Sequence, residues 1–191
     1  MFQVRLPRGL TWLTVLALVF FCGGVWAQSD EDFGDQPLPA YEVCADGLTV
    51  ADLNTGLLWE LKVPGGGGSA TCLTDLHGVG SFCTWEQATS DWIGMVNLEG
   101  GTGYAGFSDW RVPSIKELQS IVDYSVPSPG PTIAASFPGE TASSIYWAVP
   151  SDADSPGDAW GVGFKNGGRF GPNNISNNQH VRAVRSGPCS P

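Results

Sequence analysis

The stretch Phe-Ser-Asp-Trp-Arg-Val-Pro-Ser-Ile-Lys-Glu-Leu, residues 107–118, contains the strongest local structural signal of the chain. Ser114 and Glu117 have the spacing of a capping box, in which the serine hydroxyl accepts from the N–H of Glu117 and the glutamate carboxylate accepts from the N–H of Ser114. Pro113 disfavours helical backbone at Val112, so a helix cannot continue in that direction. The stretch therefore predicts a helix that begins at Ser114.

Two helices are predicted, each with apolar residues at helical spacing. Thr84 and Gln87 form a second capping box and predict the start of the earlier helix. We expect the later helix to run to about Tyr124, and both apolar faces must pack against other elements. The apolar positions are Trp85, Ala88, Trp92, Met95 and Val96 in the earlier helix, and Ile115, Leu118, Ile121 and Val122 in the later one.

Strand signals dominate the last third of the chain. Residues 57–61, 144–149, 159–164 and 180–185 are predicted strands, because short apolar or alternating runs are bounded by turn residues. Residues 165–168, Lys-Asn-Gly-Gly, predict a hairpin turn, since Asn and Gly accept positive φ. Two early helices and several late strands predict an α+β domain with a mainly antiparallel sheet.

The motifs of this chain resemble the domain of unknown function 1566 family, the C-terminal domain family of the Legionella collagen-like protein. The resemblance starts from the Asp-Trp-Arg-x-Pro-Ser-x-x-Glu-Leu element and extends over roughly residues 46 to 186. It implies a C-type-lectin-like α+β fold. The matching motifs besides residues 107–118 are residues 50–60 (VADLNTGLLWE), 84–88 (TWEQA), 145–147 (IYW), 161–168 (GVGFKNGG) and 180–185 (HVRAVR).

The resemblance also implies a function. The Legionella adhesin implies polysaccharide recognition and trimeric assembly, so a homo-oligomer is an expectation for this chain, although it has no collagen stalk. The Arg-x-Pro-Ser-x-x-Glu element resembles formylglycine-generating enzymes too, and these use a cysteine pair for copper chemistry. Because Cys189 is the only cysteine late in this chain, that activity does not transfer.

The N-terminal residues predict a cleavable secretory signal. Arg5 and Arg8 precede an apolar run over residues 10–22, and Val25 and Ala27 are small residues at the positions that determine cleavage. The run is shorter than the roughly 20 residues of a membrane span. We predict a signal peptide over 1–27, an acidic disordered lead-in over 28–43 and one domain over 44–191, in a secreted or periplasmic protein.

The charge balance narrows the classes of partner. The formal net charge is −10, and removal of the predicted leader takes away Arg5 and Arg8. The remainder has a net charge of about −12, which repels nucleic acid, anionic lipid and sulfated polysaccharide at long range. We therefore expect no nucleic-acid partner, and a glycan or a protein at the cell surface.

Four cysteines lie beyond the predicted leader. An even number in an exported chain predicts two disulfides, for which three pairings exist. We favour a short loop, Cys72–Cys83, and a link between the two ends of the domain, Cys44–Cys189. A thiol nucleophile or a zinc site is the alternative, but the spacings are not Cys-x-x-Cys.

Several large or charged side chains have structural rather than functional interpretations. We expect Trp59, Trp110 and Trp147 to be core residues, since a tryptophan buries a large area and needs one partner for its N–H. Arg111 is expected to pair with Glu117 or Asp123. Arg182 and Arg185 are expected on the polar face of the last strand, with binding of an anion as the alternative.

The acidic run Asp152-Ala153-Asp154-Ser155-Pro156-Gly157-Asp158 is the candidate metal site. Calcium takes several oxygen ligands, and Asp152, Asp154 and Asp158 surround a glycine turn that could present them. Pro156 occupies a position where an EF-hand loop has a ligand, and the motifs of calcium-dependent lectins are missing. We expect a solvated acidic loop and no cofactor, with calcium binding as the alternative.

The candidate ligand-binding residues lie on late loops. Residues 172–179 are rich in asparagine, whose amides offer donors and acceptors to sugar hydroxyls but also tolerate turn geometry. Trp160 follows a loop and could stack on a sugar ring, or occupy a half-buried strand position. The candidates are Trp160, Arg169, Asn174, Asn177 and Asn178.

No sequence pattern predicts catalysis. His77 and His180 are the only histidines, and neither has a neighbouring nucleophile or ligand set. The chain lacks a nucleophile elbow, a phosphate loop and a His-Glu-x-x-His motif. The sequence predicts a non-enzymatic binding or adhesion module. An enzyme related to the formylglycine-generating group and a purely structural envelope protein are the alternatives.

Overall fold

The computed structural model describes residues 40–65 and 70–189. They form an α+β domain with two mainly antiparallel sheets, one ordered β1-β2-β3-β9 and the other β4-β8-β5-β6-β7. The strands are β1 (Tyr41–Val43), β2 (Thr49–Asp52), β3 (Leu57–Glu60), β4 (Phe82–Cys83), β5 (Ile145–Ser151), β6 (Asp158–Gly163), β7 (Gly168–Asn174), β8 (Gln179–His180) and β9 (Val184–Ser186).

Both predicted capping boxes are present. Thr84 caps a helical run made of α1 (Trp85–Gln87), a π-helical segment (Ala88–Trp92) and α2 (Ile93–Leu98). Ser114 caps α3 (Ile115–Ser120), and the Glu117 carboxylate accepts from the N–H of Ser114 at 2.8 Å. Helix α3 ends earlier than predicted, because Ile121 leaves helical backbone and the N–H of Asp123 is bonded to the carbonyl of Thr132.

The stretch with the Ser114 capping box also joins the two sheets. Arg111 exchanges two backbone hydrogen bonds with Val184 of β9, each 2.9 Å long. Two residues further on, the carbonyl of Pro113 accepts from the N–H of Val149 of β5 at 2.9 Å. The segment between Trp110 and α3 therefore holds the edge of one sheet next to the other. Of its two expected partners, Glu117 and Asp123, Arg111 pairs with Glu117, whose carboxylate oxygens lie 2.8 and 2.5 Å from the guanidinium.

Two hydrophobic clusters fill the interior, and the larger sheet contributes to both. Trp147 belongs to one cluster and its neighbour Tyr146 to the other, because successive residues of β5 face opposite sides of the sheet. Trp59, Trp110 and Trp147 are all buried, as predicted. The indole N–H groups of Trp110 and Trp147 donate to the carbonyls of Tyr104 and Cys83, at 2.8 and 2.9 Å.

The prediction of a single last strand is wrong. Residues 180–185 do not form one strand: β8 joins the larger sheet and β9 joins the smaller one. Arg182 lies between them, and its side chain is buried, not on a polar face. Its guanidinium donates to the carbonyls of Glu60 and Glu140 and to the Thr141 hydroxyl, so three acceptors replace the water that it loses.

The domain begins earlier than predicted. Strand β1 pairs in register with β2, from Tyr41 opposite Asp52 to Val43 opposite Val50. The last residues of the lead-in predicted over 28–43 are therefore part of the sheet. The signal peptide predicted over 1–27 lies outside the described residues, as do residues 28–39.

Both predicted disulfides are present, Cys44–Cys189 and Cys72–Cys83. The first closes a loop with a sequence separation of 145 residues and the second a loop of 11. Cys44 follows β1 and Cys189 follows β9, so this bond links the chain on either side of the smaller sheet. The predicted link between the two ends of the domain is confirmed.

We expect the loss of Cys44–Cys189 to destabilise the domain more than the loss of Cys72–Cys83. In the chain-entropy model the longer loop contributes about 5 kcal/mol to the free energy of unfolding and the shorter about 3 kcal/mol. Urea unfolding of Cys44→Ser/Cys189→Ser and Cys72→Ser/Cys83→Ser proteins would measure the difference. Equal losses in the two variants would contradict the expectation.

Candidate functional site

The structure brings the two predicted late loops together. Asp158 at the start of β6 is the register partner of Asn174 at the end of β7, and the N–H of Ile175 donates to the carbonyl of Gly157 at 3.1 Å. Residues 152–158 and 174–178 therefore lie side by side at one end of the β6–β7 hairpin. We call these residues the late-loop surface.

The aspartates of this surface take part in the turn that connects β5 to β6. The carboxylate of Asp152 accepts from the N–H of Asp154 at 3.1 Å, and the N–H of Asp152 donates to the carbonyl of Asp158 at 2.9 Å. Within residues 40–65 and 70–189, no group of three or more His, Cys, Asp and Glu side chains could hold a metal ion. The calcium alternative for Asp152, Asp154 and Asp158 stays a prediction.

The asparagine amides partly stabilise their own turn. The side-chain oxygen of Asn174 accepts from the N–H of Ser176 at 2.9 Å, and the Asn177 amide donates to that of Asn173 at 2.8 Å. Asn174, Asn177 and Asn178 are nevertheless exposed. The turn chemistry expected of this loop is present, and it leaves amide groups accessible to a ligand.

Trp160 and Arg169 lie on the strands that support this surface. Trp160 is half-buried on β6, and its ring lies against Gly171 of β7, where a Cβ would collide with it. Arg169 is the register partner of Val162, and its side chain lies outside the described part of the structure. The two residues belong to the same hairpin as the asparagine turn.

A buried charged cluster was not predicted. Glu60, at the end of β3, is fully buried, and Lys62 is almost as buried. The Lys62 ammonium lies 2.8 Å from Glu60 Oε1 and donates to the carbonyl of Leu76 at 2.9 Å. Glu60 Oε2 accepts from the N–H of Ala183 at 2.7 Å. The sequence did contain a signal for this cluster, because Glu60 and Lys62 interrupt the otherwise apolar run of residues 57–63. Charged residues are rarely buried without partners.

His77 extends this cluster to the surface. Its Nδ1 lies 2.6 Å from Glu60 Oε1, and its Nε2 lies 2.9 Å from Oε2 of Glu99. The imidazole stacks on the ring of Tyr104, with 4.0 Å between ring centroids. We call Glu60, Lys62, His77 and Glu99 the His77 cluster. No role was predicted for His77, because its partners lie 17 and 22 residues away along the chain.

The protonation states of the cluster follow from its contacts. Burial opposes ionisation of Glu60, but Lys62 and His77 outweigh it and lower the pKa of the carboxyl group. Burial also disfavours the charged form of His77, but its hydrogen bonds to Glu60 and Glu99 raise its pKa above the ordinary value of 6.5. Burial lowers the pKa of His180, the other histidine.

A groove opens beside the cluster. It has a volume of about 430 Å³ and is lined by His77, Glu99, Tyr104, Leu48 and Val63 among others. Leu48 and Val63 are exposed apolar side chains at its edge. We call it the His77 groove. Its size is within the range of small-molecule sites, and its lining combines apolar walls with one carboxylate.

The family assignment of this chain follows from its sequence as a whole. The family model of the Lcl C-terminal domain matches residues 48–185. The chain belongs to this family. The predicted resemblance to the 1566 family is thereby confirmed, and the match covers both sheets from β2 to the first residues of β9. No curated protein matches the chain.

The late-loop surface and the His77 groove are both within the matched Lcl C-terminal domain. The late-loop surface is built on the β6–β7 hairpin, and the His77 groove lies beside β2, β3 and the segments after α2. Among the described residues, no helix has the length and apolar character needed to cross a membrane.

We expect Glu60→Gln to lower the free energy of unfolding by about 3–5 kcal/mol, because Lys62 would keep a buried charge without its ionic partner. Glu42→Gln, an exposed position on β1, is a matched control and should change it by less than about 0.5 kcal/mol. Chemical denaturation of the three proteins measures both effects. Similar stability of the Glu60 and Glu42 variants would show that the buried pair contributes little.

The two histidines should titrate on opposite sides of pH 6.5, which NMR of the imidazole carbons would measure. His77 has its pKa raised by folding, so its contribution to stability is complete below 6.5 and is lost as the pH rises through its folded-state pKa. His180 has the opposite sign, and its contribution is lost as the pH falls through its folded-state pKa. A His77 pKa at or below that of His180 would contradict this assignment.

Proposed function

We propose that this protein is an exported, non-enzymatic recognition module with a C-type-lectin-like fold, and that the late-loop surface binds a neutral glycan. The register of Asp158 with Asn174 carries the proposal, because it places two polar loops next to each other at one end of a hairpin. A binding surface needs several groups that face one ligand, and a rigid hairpin is a suitable support for them.

The chemistry of the surface favours sugar hydroxyls. Asn177 and Asn178 offer amide donors and acceptors to solvent, and the aspartates of residues 152–158 offer acceptors. Trp160 supplies an aromatic ring on the same hairpin, which suits contact with the apolar face of a sugar. The strongly negative net charge disfavours sulfated or other anionic polysaccharides and so supports a neutral ligand.

Export is supported by the covalent structure. Two disulfides form in the described part of the chain, and such bonds persist in oxidising compartments. The predicted signal peptide leads to the same compartment. We propose that the mature domain acts in the periplasm or outside the cell, where a polysaccharide or a surface protein is available to it.

One observation favours an enzyme as the second candidate. A buried carboxylate bonded to a histidine Nδ1, as Glu60 is to His77, is the arrangement that orients a catalytic base. However, the second ring nitrogen, which would act on a substrate, is bonded to Glu99 at 2.9 Å. This engagement favours a bridging role for His77, and we therefore place binding ahead of catalysis.

The proposed function predicts binding on an array of neutral glycans and polysaccharides. Asn178→Ala should weaken binding to the recognised glycan about threefold to tenfold, as expected for the loss of one hydrogen bond. Titration of the oxidised, folded protein with that glycan by calorimetry measures the change.

Asn54→Ala is the matched control, because Asn54 is an exposed asparagine in the turn between β2 and β3. It should leave the affinity unchanged. Binding that is indifferent to Asn178→Ala would overturn the assignment of the surface. No glycan bound by folded protein would overturn the proposed function and would direct the search to protein partners.

A further inference from the structure

His77 joins two carboxylates from distant parts of the chain. Glu60 belongs to β3, while Glu99 begins a 3₁₀ turn (Glu99–Gly101) directly after α2. The imidazole lies between them, with Nδ1 2.6 Å from one carboxylate and Nε2 2.9 Å from the other. Glu60 and Glu99 lie far apart along the chain, so this bridge is a tertiary contact.

The bridge requires a proton. A neutral imidazole has one N–H group, and its other nitrogen carries a lone pair. With carboxylate oxygens at both nitrogens, the neutral ring would place that lone pair against a negatively charged oxygen. Only the imidazolium donates to both Glu60 and Glu99, so the loss of one proton removes one of the two hydrogen bonds.

The two bonds are not equally easy to break. Glu60 is fully buried and accepts from Lys62 and from the backbone N–H of Ala183, so it cannot move without breaking these contacts. The side chain of Glu99 is 41 % exposed, and water can replace its bond to His77. The bond to Glu99 is therefore the one that should break.

Glu99 holds one wall of the His77 groove. Its carbonyl accepts from the N–H groups of Thr102 and Gly103, at 3.3 and 2.8 Å. Gly100, Gly101 and Gly103 have positive φ, and a side chain at 103 would collide with the backbone of Phe107. This segment leads to Tyr104, whose ring stacks on His77. Glycines lose much conformational entropy on ordering, so the segment needs contacts such as those of Glu99 to stay fixed.

We propose that Glu60, His77 and Glu99 form a proton-operated clamp that fixes the wall of the His77 groove, residues 99–103. With His77 protonated the wall is held against the domain, and with His77 neutral Glu99 is released and the wall becomes mobile. The groove thus has a defined shape below the His77 midpoint and a variable shape above it. This inference does not depend on the late-loop surface as the ligand site.

The charged groups around His77 agree with this assignment. Lys62, beyond β3, opposes protonation of His77, while Glu60 and Glu99 favour it, and the carboxylates prevail. Arg182 donates to the backbone carbonyl of Glu60, not to its carboxylate. Tyr104 packs from the other side, and burial followed by the charge of Glu60 raises its pKa, so it stays neutral. Asp75 lies on the same loop as His77 and accepts from the N–H of Gly78.

An NMR titration of the full chain tests the clamp. The imidazole signals of His77 and the amide signals of residues 100–103 should change with one common midpoint, above pH 6.5. Heteronuclear relaxation of these amides should show increased motion above that midpoint. Glu99→Gln removes the charge of the outer anchor and keeps its shape, so it should move the midpoint to lower pH.

Two further variants complete the experiment. Glu42→Gln, an exposed position on β1, should leave the His77 midpoint unchanged. His77→Gln should abolish the pH dependence of residues 100–103. The proposal is overturned if those amides do not share the His77 midpoint, or if Glu99→Gln leaves that midpoint where it was. Glu99 is partly exposed, so its substitution tests the clamp without removing a core residue.

Discussion

The carboxylate of Glu60 is the contact on which the arrangement of the domain depends. It is fully buried and binds Lys62, His77 and the backbone of Ala183, which come from three separate segments. Each of these donors would be costly to bury alone, and each is satisfied by the same anion. The backbone carbonyl of Glu60 also accepts from Arg182, so one residue of β3 organises the crossing of the last chain segment between the sheets.

This crossing explains why a small domain supports two separate surfaces. The last segment leaves the larger sheet at β8 and enters the smaller one at β9, and residues 111–114 bond to β9 of one sheet and β5 of the other. The β6–β7 hairpin is then free to present its loops at one edge, while the His77 groove forms next to β3.

Local signals were predicted well because they depend on neighbouring residues. The capping boxes at Thr84 and Ser114, the pairing of Arg111 with Glu117 and the turn after Phe164 each involve residues within a few positions. The disulfides were also predicted, because four cysteines allow only three pairings. The helix starting at Ser114 was predicted too long, since its end is decided by Thr132, a residue outside the helix.

The amino-acid sequence alone determined the family, the α+β class, the helix starts and the expectation of two disulfides, because these follow from short motifs and from composition. Only the tertiary structure decided the position of Arg182, the splitting of the last strand and the role of His77. The physical reason is that a buried charge is stable only next to its partners. The partners of His77 and Arg182 are distant along the chain and become neighbours only on folding. No periodic pattern in the sequence indicates such contacts.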